Sequence, residues 1–179
     1  MKQSVDESSA VRPRVVLVGP MGAGKTTVGR ILAQTWGVTV RDTDADVEAV
    51  AGKPVQEIFV DDGEAAFRAL ERQAVATALA EHDGVLALGG GAVLDPETRE
   101  LLAGHRVAFL RVGFDDAVRR VGAGAGRPLL LGNVRSRVKQ LMEERTPVYE
   151  AVASLVVDTD GKSAADVAAE IAAAWEGES

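Results

Sequence analysis

The sequence predicts a parallel α/β domain with a single open sheet of five strands. Short β-branched runs alternate with longer helical ones from Arg14 onward, and a glycine-rich turn joins the first run to the first helix. Of the 179 residues, 46 % are apolar and 26 % charged, a balance that suits one domain with a real core. Aromatic residues make up only 4 %, so Ala, Val and Leu must build that core.

Taken in chain order, Met1 to Arg12 are polar, lack the apolar stretch of a signal peptide and are expected to be a disordered tail, leaving 13–179 as one domain. Strands are predicted over Arg14–Val18, Val38–Arg41, Val85–Leu88, Arg106–Arg111 and Ser154–Val157. Helices are predicted over Lys25–Trp36, Ala45–Val50, Gly63–Glu81, Pro96–Leu102, Phe114–Val121, Val134–Tyr149 and Ser163–Trp175. Thr43 followed by Asp46 reads as a capping box, Asp95–Pro96 as an N-cap with proline at the first helical position, and Gly52 and Gly84 as stops. Two stretches break the alternation. Val50 to Asp62 carries Gly52 and Pro54, and Gly122 to Asn133 (GAGAGRPLLLGN) is too rich in glycine for a helix interior. Both read as insertions at the ligand edge of the sheet.

Charge and composition exclude several classes. With 27 acidic against 20 basic residues the formal charge is −7, which disfavours non-specific nucleic-acid binding and anionic membranes. The absence of cysteine removes disulfides, thiolate metal sites and a Cys nucleophile, and two histidines, His82 and His105, are too few for a His-rich metal site. No apolar run is long enough to span a bilayer.

The segment GPMGAGKTT, from Gly19 to Thr27, satisfies GxxxxGKS/T between a β run and a helical run. Such a loop curls its backbone N–H groups around phosphate oxygens and adds the positive end of the following helix. Lys25 is placed to reach the β- and γ-phosphates and the Thr26 hydroxyl to ligate Mg²⁺. A bare strand-to-helix turn would explain neither residue. The chain lacks an NKxD signature, and it is too short for a motor, so a small phosphotransferase remains.

Past the second strand, RDTDADVE places Asp42, Asp44 and Asp46 beside that loop. Capping accounts for Asp46. Asp42 and Asp44 crowd like charge at a nucleotide site, which costs stability unless a cation or substrate compensates, and so read as functional. Arg68 lies four residues after Glu64 and three before Glu71, a spacing that a salt-bridged exposed helix face would also give. Gly89, Gly90 and Gly91 directly follow the third strand and permit close approach of a ligand. Arg127 and Arg145 are each weak signals alone.

Together, GPMGAGKT (Gly19–Thr26), DTD (Asp42–Asp44), FRALE (Phe67–Glu71), GGGAV (Gly89–Val93), RPLL (Arg127–Leu130) and ERTPVY (Glu144–Tyr149) resemble the shikimate kinase family in order and spacing, from Arg14 to about Thr159. The resemblance implies a three-layer P-loop kinase fold with strand order 2-3-1-4-5, a substrate-binding subregion at about 43–72 and a lid at about 122–133. It implies transfer of the ATP γ-phosphoryl group to the 3-hydroxyl of shikimate, on the route to chorismate and the aromatic amino acids. Lys25, Asp44 and Arg127 would be catalytic. Gly22, Ala23, Gly24, Lys25, Thr26 and Thr27 would bind ATP together with Arg120 near the adenine and Arg127 on the lid. Asp44, Arg68, Gly90, Gly91 and Arg145 would hold shikimate, and Thr26 and Asp42 the Mg²⁺. Glu71 would orient Arg68, whose planar guanidinium matches a carboxylate better than Lys does. The same resemblance implies a cytoplasmic monomer. After Thr159 the run Asp160–Gly161–Lys162–Ser163–Ala164 lacks the family's basic adenine loop, so looser adenine selectivity is expected. A gluconate kinase of the same architecture is disfavoured by DTD with FRxxE. A regulatory module that had lost catalysis would lack Lys25, Asp44 or Arg127, and all three are present.

Overall fold

The computed structural model describes residues 11–125 and 134–175. The expectations for the tail at residues 1–10, for Arg127 and for most of the lid therefore lie outside the described residues. The element order is β1 Val15–Val18, α1 Lys25–Trp36, β2 Val40–Asp42, α2 Thr43–Ala51, α3 Val55–Asp62, α4 Glu64–Glu81, β3 Val85–Ala87, a 3₁₀ turn Ala92–Leu94, α5 Pro96–Leu102, β4 Val107–Arg111, α6 Phe114–Ala125, α7 Val134–Val152, β5 Leu155–Asp158 and α8 Ala164–Ala174. All four strand pairings are parallel, in the order β2-β3-β1-β4-β5, with Val16 of β1 opposite Leu86 and Val107.

Both faces of β1 are buried, which is why VVLV is continuous rather than alternating. Val15 and Leu17 pack with Val28 and Leu32 of α1 and Val167 and Ile171 of α8. Val16 and Val18 face the other way, onto Val75 and Leu79 of α4, Leu102 of α5, and Tyr149 of α7. The result is a helix–sheet–helix sandwich. Each fully buried Val or Leu contributes about 1.5–3 kcal/mol by leaving water. The first β-strand therefore cannot drift, and the loop that follows it is held rigidly.

Most boundaries fall within a residue or two of those expected, and four differences have physical reasons. Gly122–Ala125 belongs to α6 despite the roughly 1 kcal/mol cost of each glycine, because tertiary packing outweighs propensity in most helices and α6 lies against α7. The stretch from Val50 to Asp62 is helical apart from a break at Gly52–Pro54; α3 starts just after Pro54 and buries Ile58 against Val47 and Phe67. The capping box at Thr43 and Asp46 is not formed. Asp42 is still extended (φ −119°, ψ 125°) and is itself the N-cap of α2, its Oδ1 accepting from the N–H of Asp44 at 2.8 Å, while Asp46 pairs with Arg41 at 2.7 Å. Finally, α4 ends at Glu81 as expected, but its C-cap is His82 rather than a glycine, the imidazole being held by a 3.0 Å contact of Nε2 with Val85 O. The cap at Asp95, the glycine stop at Gly52 and proline at the first position of α5 are as expected.

Candidate active site

The C-terminal ends of β1, β2 and β3 converge, and three loops meet there. The first is the phosphate loop. Gly24, at φ 94°, sits in the left-handed region that favours glycine and serves as N-cap of α1, so the chain enters the helix with no side chain over its N-terminus. Gly22 has φ 82°, and Ala23 is buried and donates its N–H to Pro20 O at 3.1 Å, closing the loop. Thr26 and Thr27 lie exposed in the first turn of α1. The Lys25 ammonium folds over the loop and donates to Gly19 O at 2.6 Å and Pro20 O at 2.9 Å. Burial pulls its pKa down to about 8, against the opposing pull of Asp42 and Asp44. Arg120, on α6, donates to Gly22 O at 2.8 Å, so α6 is tied to the same loop.

The second loop carries the two aspartates. Asp44 Oδ1 is buried and has no hydrogen-bond partner among the described residues. Burial raises the Asp44 pKa, Asp42 raises it further, and Lys25 and Arg68 oppose the rise. Thr43 is fully buried and its hydroxyl accepts from the N–H of Gly89 at 3.2 Å. That contact explains why Thr43 does not cap α2: its hydroxyl is needed across the sheet edge.

The triple glycine is the third loop, and the structure gives two of its members a steric reason. A Cβ on Gly89 would lie 2.5 Å from Asp44 Oδ1 and 3.1 Å from Glu71 Oε2. One on Gly91 would meet the Arg68 guanidinium at 2.6 Å. Among the described residues nothing accepts from the N–H groups of Gly90 and Gly91, whereas the carbonyls of Gly89, Gly90 and Gly91 accept from Ala92 N–H, the Tyr149 hydroxyl and Leu94 N–H.

Arg68 is not on an exposed face. Its Nη1 donates to Glu71 Oε1 at 2.7 Å, and the Glu71 side chain is only 3 % exposed. Burial raises the Glu71 pKa while the Arg68 hydrogen bond holds it down. Glu64, 71 % exposed and 3.7 Å away, is the peripheral partner that the helix spacing also suggested. Arg145, on α7, borders an apolar cavity of about 240 Å³ beside Met21, Phe109 and Met142, and Tyr149, one helical turn later, lines the same cavity. Lys25 and Arg68 thus both act on Asp44, Arg68 and Arg145 both act on Tyr149, and Arg120 is bonded to the phosphate loop; Arg127 lies outside the described residues.

A family model described as shikimate kinase matches residues 21–176. A curated shikimate kinase from Salinispora arenicola is 61 % identical over 161 residues, covering 90 % of this chain and 96 % of its own length. The chain belongs to the shikimate kinase family. A solved family member from Acinetobacter baumannii, in complex with shikimate, superposes with a TM-score of 0.83 at 33 % identity, covering 94 % of this chain and 95 % of that one. A gluconokinase from Sinorhizobium meliloti reaches a TM-score of 0.54 at 20 % identity and covers 89 % of each chain; it shares the fold. Membership makes this chain an ATP-dependent kinase of the shikimate pathway, and the five parallel strands in order 2-3-1-4-5 are the family's fold.

Two site residues had no role in the sequence reading. Thr43 was read as a cap, and its bond to Gly89 spans 46 positions, which no local pattern encodes. Tyr149 is the chain's single tyrosine, four residues after Arg145, and that i, i+4 spacing on one helix was the available signal.

Proposed function

We propose that this chain transfers the γ-phosphoryl group of ATP to the 3-hydroxyl of shikimate, giving shikimate 3-phosphate and ADP, with the residues of this cleft in the following roles. The observation that carries the reading is the buried Asp44 Oδ1, which lacks a partner among the described residues and lies within the fields of Lys25 and Arg68. A substrate hydroxyl would satisfy it. A buried carboxylate with a raised pKa is also a stronger proton acceptor than an ordinary aspartate, which suits it to take the hydroxyl proton as the new P–O bond forms.

Shikimate's carboxylate goes to Arg68 and Arg145, and its ring to the N–H groups of Gly90 and Gly91, which nothing in the described protein occupies. Glu71 fixes the Arg68 fork and keeps it from swinging outward. ATP phosphates replace the two carbonyls that now hold Lys25 and receive the loop N–H groups from Gly22 to Thr27 together with the N-terminal end of α1. Arg120 lies beside the adenine, and Arg127 would close over the transferring group, excluding water that would otherwise hydrolyse ATP.

Among the described residues no group of three or more His, Cys, Asp or Glu could hold a metal by itself. That suits Mg²⁺, which takes one or two protein groups and completes its shell with substrate phosphates and water. Thr26 Oγ1 and the Asp42 carboxylate, reached through water, fit this need, and the ion would neutralise charge on the β- and γ-phosphates. Asp42 and Asp44 side by side gain a compensating cation in the same step. We read residues 13–179 as one kinase domain with its substrate-binding stretch at about 43–72 and its lid at about 122–133. The formal charge of −7 supports ATP and shikimate as partners rather than nucleic acid or membrane, and we place the enzyme in the cytoplasm as a monomer. No helix among the described residues is long and apolar enough to cross a membrane.

The test is ADP release from MgATP with and without shikimate, on the natural chain and on Asp44→Asn. Shikimate-dependent turnover that Asp44→Asn reduces by about 100-fold or more is expected. Turnover with gluconate and none with shikimate would overturn the assignment.

A further inference from the structure

The glycine turn is anchored from three sides. Thr43 of α2 accepts from Gly89 N–H, the 3₁₀ turn supplies Ala92 N–H and Leu94 N–H to Gly89 O and Gly91 O, and the Tyr149 hydroxyl of α7 donates to Gly90 O. The first two anchors lie in or beside the elements that carry Asp44 and the turn itself. The third reaches 59 positions along the chain, from the helix that also carries Arg145.

Tyr149 is 2 % exposed, and its ring stacks on Phe109 of β4 with centroids 4.9 Å apart and planes 30° apart. The ring is therefore held by the sheet, which leaves the hydroxyl little freedom. That hydroxyl has one proton and it goes to Gly90 O. Arg145, one helical turn earlier on α7, lines the same cavity as Tyr149, and its charge acts on the hydroxyl. Burial raises the Tyr149 pKa, so the phenol keeps its proton across the working range and stays a donor.

We infer that Tyr149 is a positioning residue for shikimate: its hydroxyl bond to Gly90 O ties α7, which carries Arg145, to the glycine turn, and so sets the distance between the guanidinium and the Gly90 and Gly91 N–H groups, which have no acceptor among the described residues. This inference rests on the proposed placing of shikimate between Arg145 and Gly90–Gly91. Fixing the Gly90 carbonyl fixes the peptide plane that follows it, and with it the direction of the Gly91 N–H. Pro147 lies between Arg145 and Tyr149 inside α7. It has no N–H for the carbonyl one turn earlier, so the helix alone orders this turn less well and the Tyr149 bond matters more.

The experiment is steady-state kinetics on Tyr149→Phe, which keeps the ring and removes only the hydroxyl. A rise of about 5- to 20-fold in the shikimate KM is expected, with the ATP KM within about 2-fold of the natural chain. A double-mutant cycle separates positioning from packing. In an Arg145→Ala background Tyr149→Phe should change the shikimate KM by less than about 2-fold, because the partner it positions is gone. Equal KM values for Tyr149→Phe and the natural chain, or an equal penalty in both backgrounds, would overturn the inference. Because Tyr149 is the only tyrosine, replacing it with 3-fluorotyrosine in the intact chain gives one ¹⁹F resonance. That resonance should shift on adding shikimate and shift less on adding ATP alone; an unmoved resonance at saturating shikimate would also overturn it. Absence of shikimate-dependent turnover in the natural chain would instead remove the functional assignment itself.

Discussion

Gly89 and Asp44 are packed so closely that a Cβ on the glycine would lie 2.5 Å from the carboxylate oxygen that has no partner among the described residues. The glycine is what lets a charged side chain sit buried at the end of the sheet. Gly89→Ala should therefore displace Asp44 and press on Glu71 as well, whose Oε2 would be 3.1 Å away. We expect a loss of at least about 100-fold in kcat/KM for shikimate and about 1–3 kcal/mol of stability, read by turnover and thermal melting. An alanine variant with native turnover would show that Asp44 can act from elsewhere.

Arg68 and Glu71 form a pair in which the carboxylate is the buried member. Arg68→Lys keeps a charge near Glu71 but cannot offer a fork to a substrate carboxylate. The lysine variant should fold and bind ATP normally, with the shikimate KM raised about 10-fold or more. Arg68→Ala goes further, leaving Glu71 buried without its partner, and should cost up to about 3–5 kcal/mol in addition. A denaturant melt of the two variants distinguishes the effects.

Burial, and then the neighbouring Asp42, disfavour the charged form of Asp44. A carboxylate whose folded pKa lies above its ordinary 3.8 lends stability only while protonated, and that contribution is lost as pH rises through the raised pKa. Once pH has passed the raised pKa, the ionised Asp44 is thus a strain on the unliganded protein. Asp44→Asn should remove it, making the empty protein about 0.5–2 kcal/mol more stable while activity falls. The gain should shrink as pH drops towards the acid range; equal or lower melting temperatures at pH 7 would contradict this account.

Lys25 loses part of its charge near neutral pH because burial lowers its pKa to about 8 from 10.5. Between those values the unfolded chain binds more protons than the folded one, so stability from this group rises with pH across that window. Phosphate in the loop should restore the full charge. At pH 8, nucleotide binding should then take up about 0.5 proton per site, falling away towards roughly pH 6. Titration calorimetry in buffers of different ionisation enthalpy measures it, and no uptake at pH 8 would mean that the ammonium is already fully charged. Lys25→Ala should abolish turnover.

Much of this was legible in the residues themselves. Short β-branched runs marked every strand, and GPMGAGKT with its flanking runs placed the nucleotide loop, because local backbone geometry and phosphate chemistry both need those residues at that spacing. Where the sequence reading failed, two local rules competed. Thr43 and Asp46 satisfy the capping pattern, but Asp42 reaches the helix first and Thr43 is drawn to Gly89. The glycines after Val121 argued for a loop, yet α6 continues to Ala125.

By itself the sequence determined the strands, the phosphate loop and the residue types of a phosphotransferase, since each depends on neighbours a few positions apart. Only the tertiary structure decided that Arg68 faces inward onto Glu71, that Asp44 Oδ1 is left without a partner among the described residues, and that one tyrosine ties α7, which carries Arg145, to Gly90. These depend on burial and on contacts across as many as 59 positions, quantities set by how α2, α4 and α7 pack over one sheet edge and not by any local pattern.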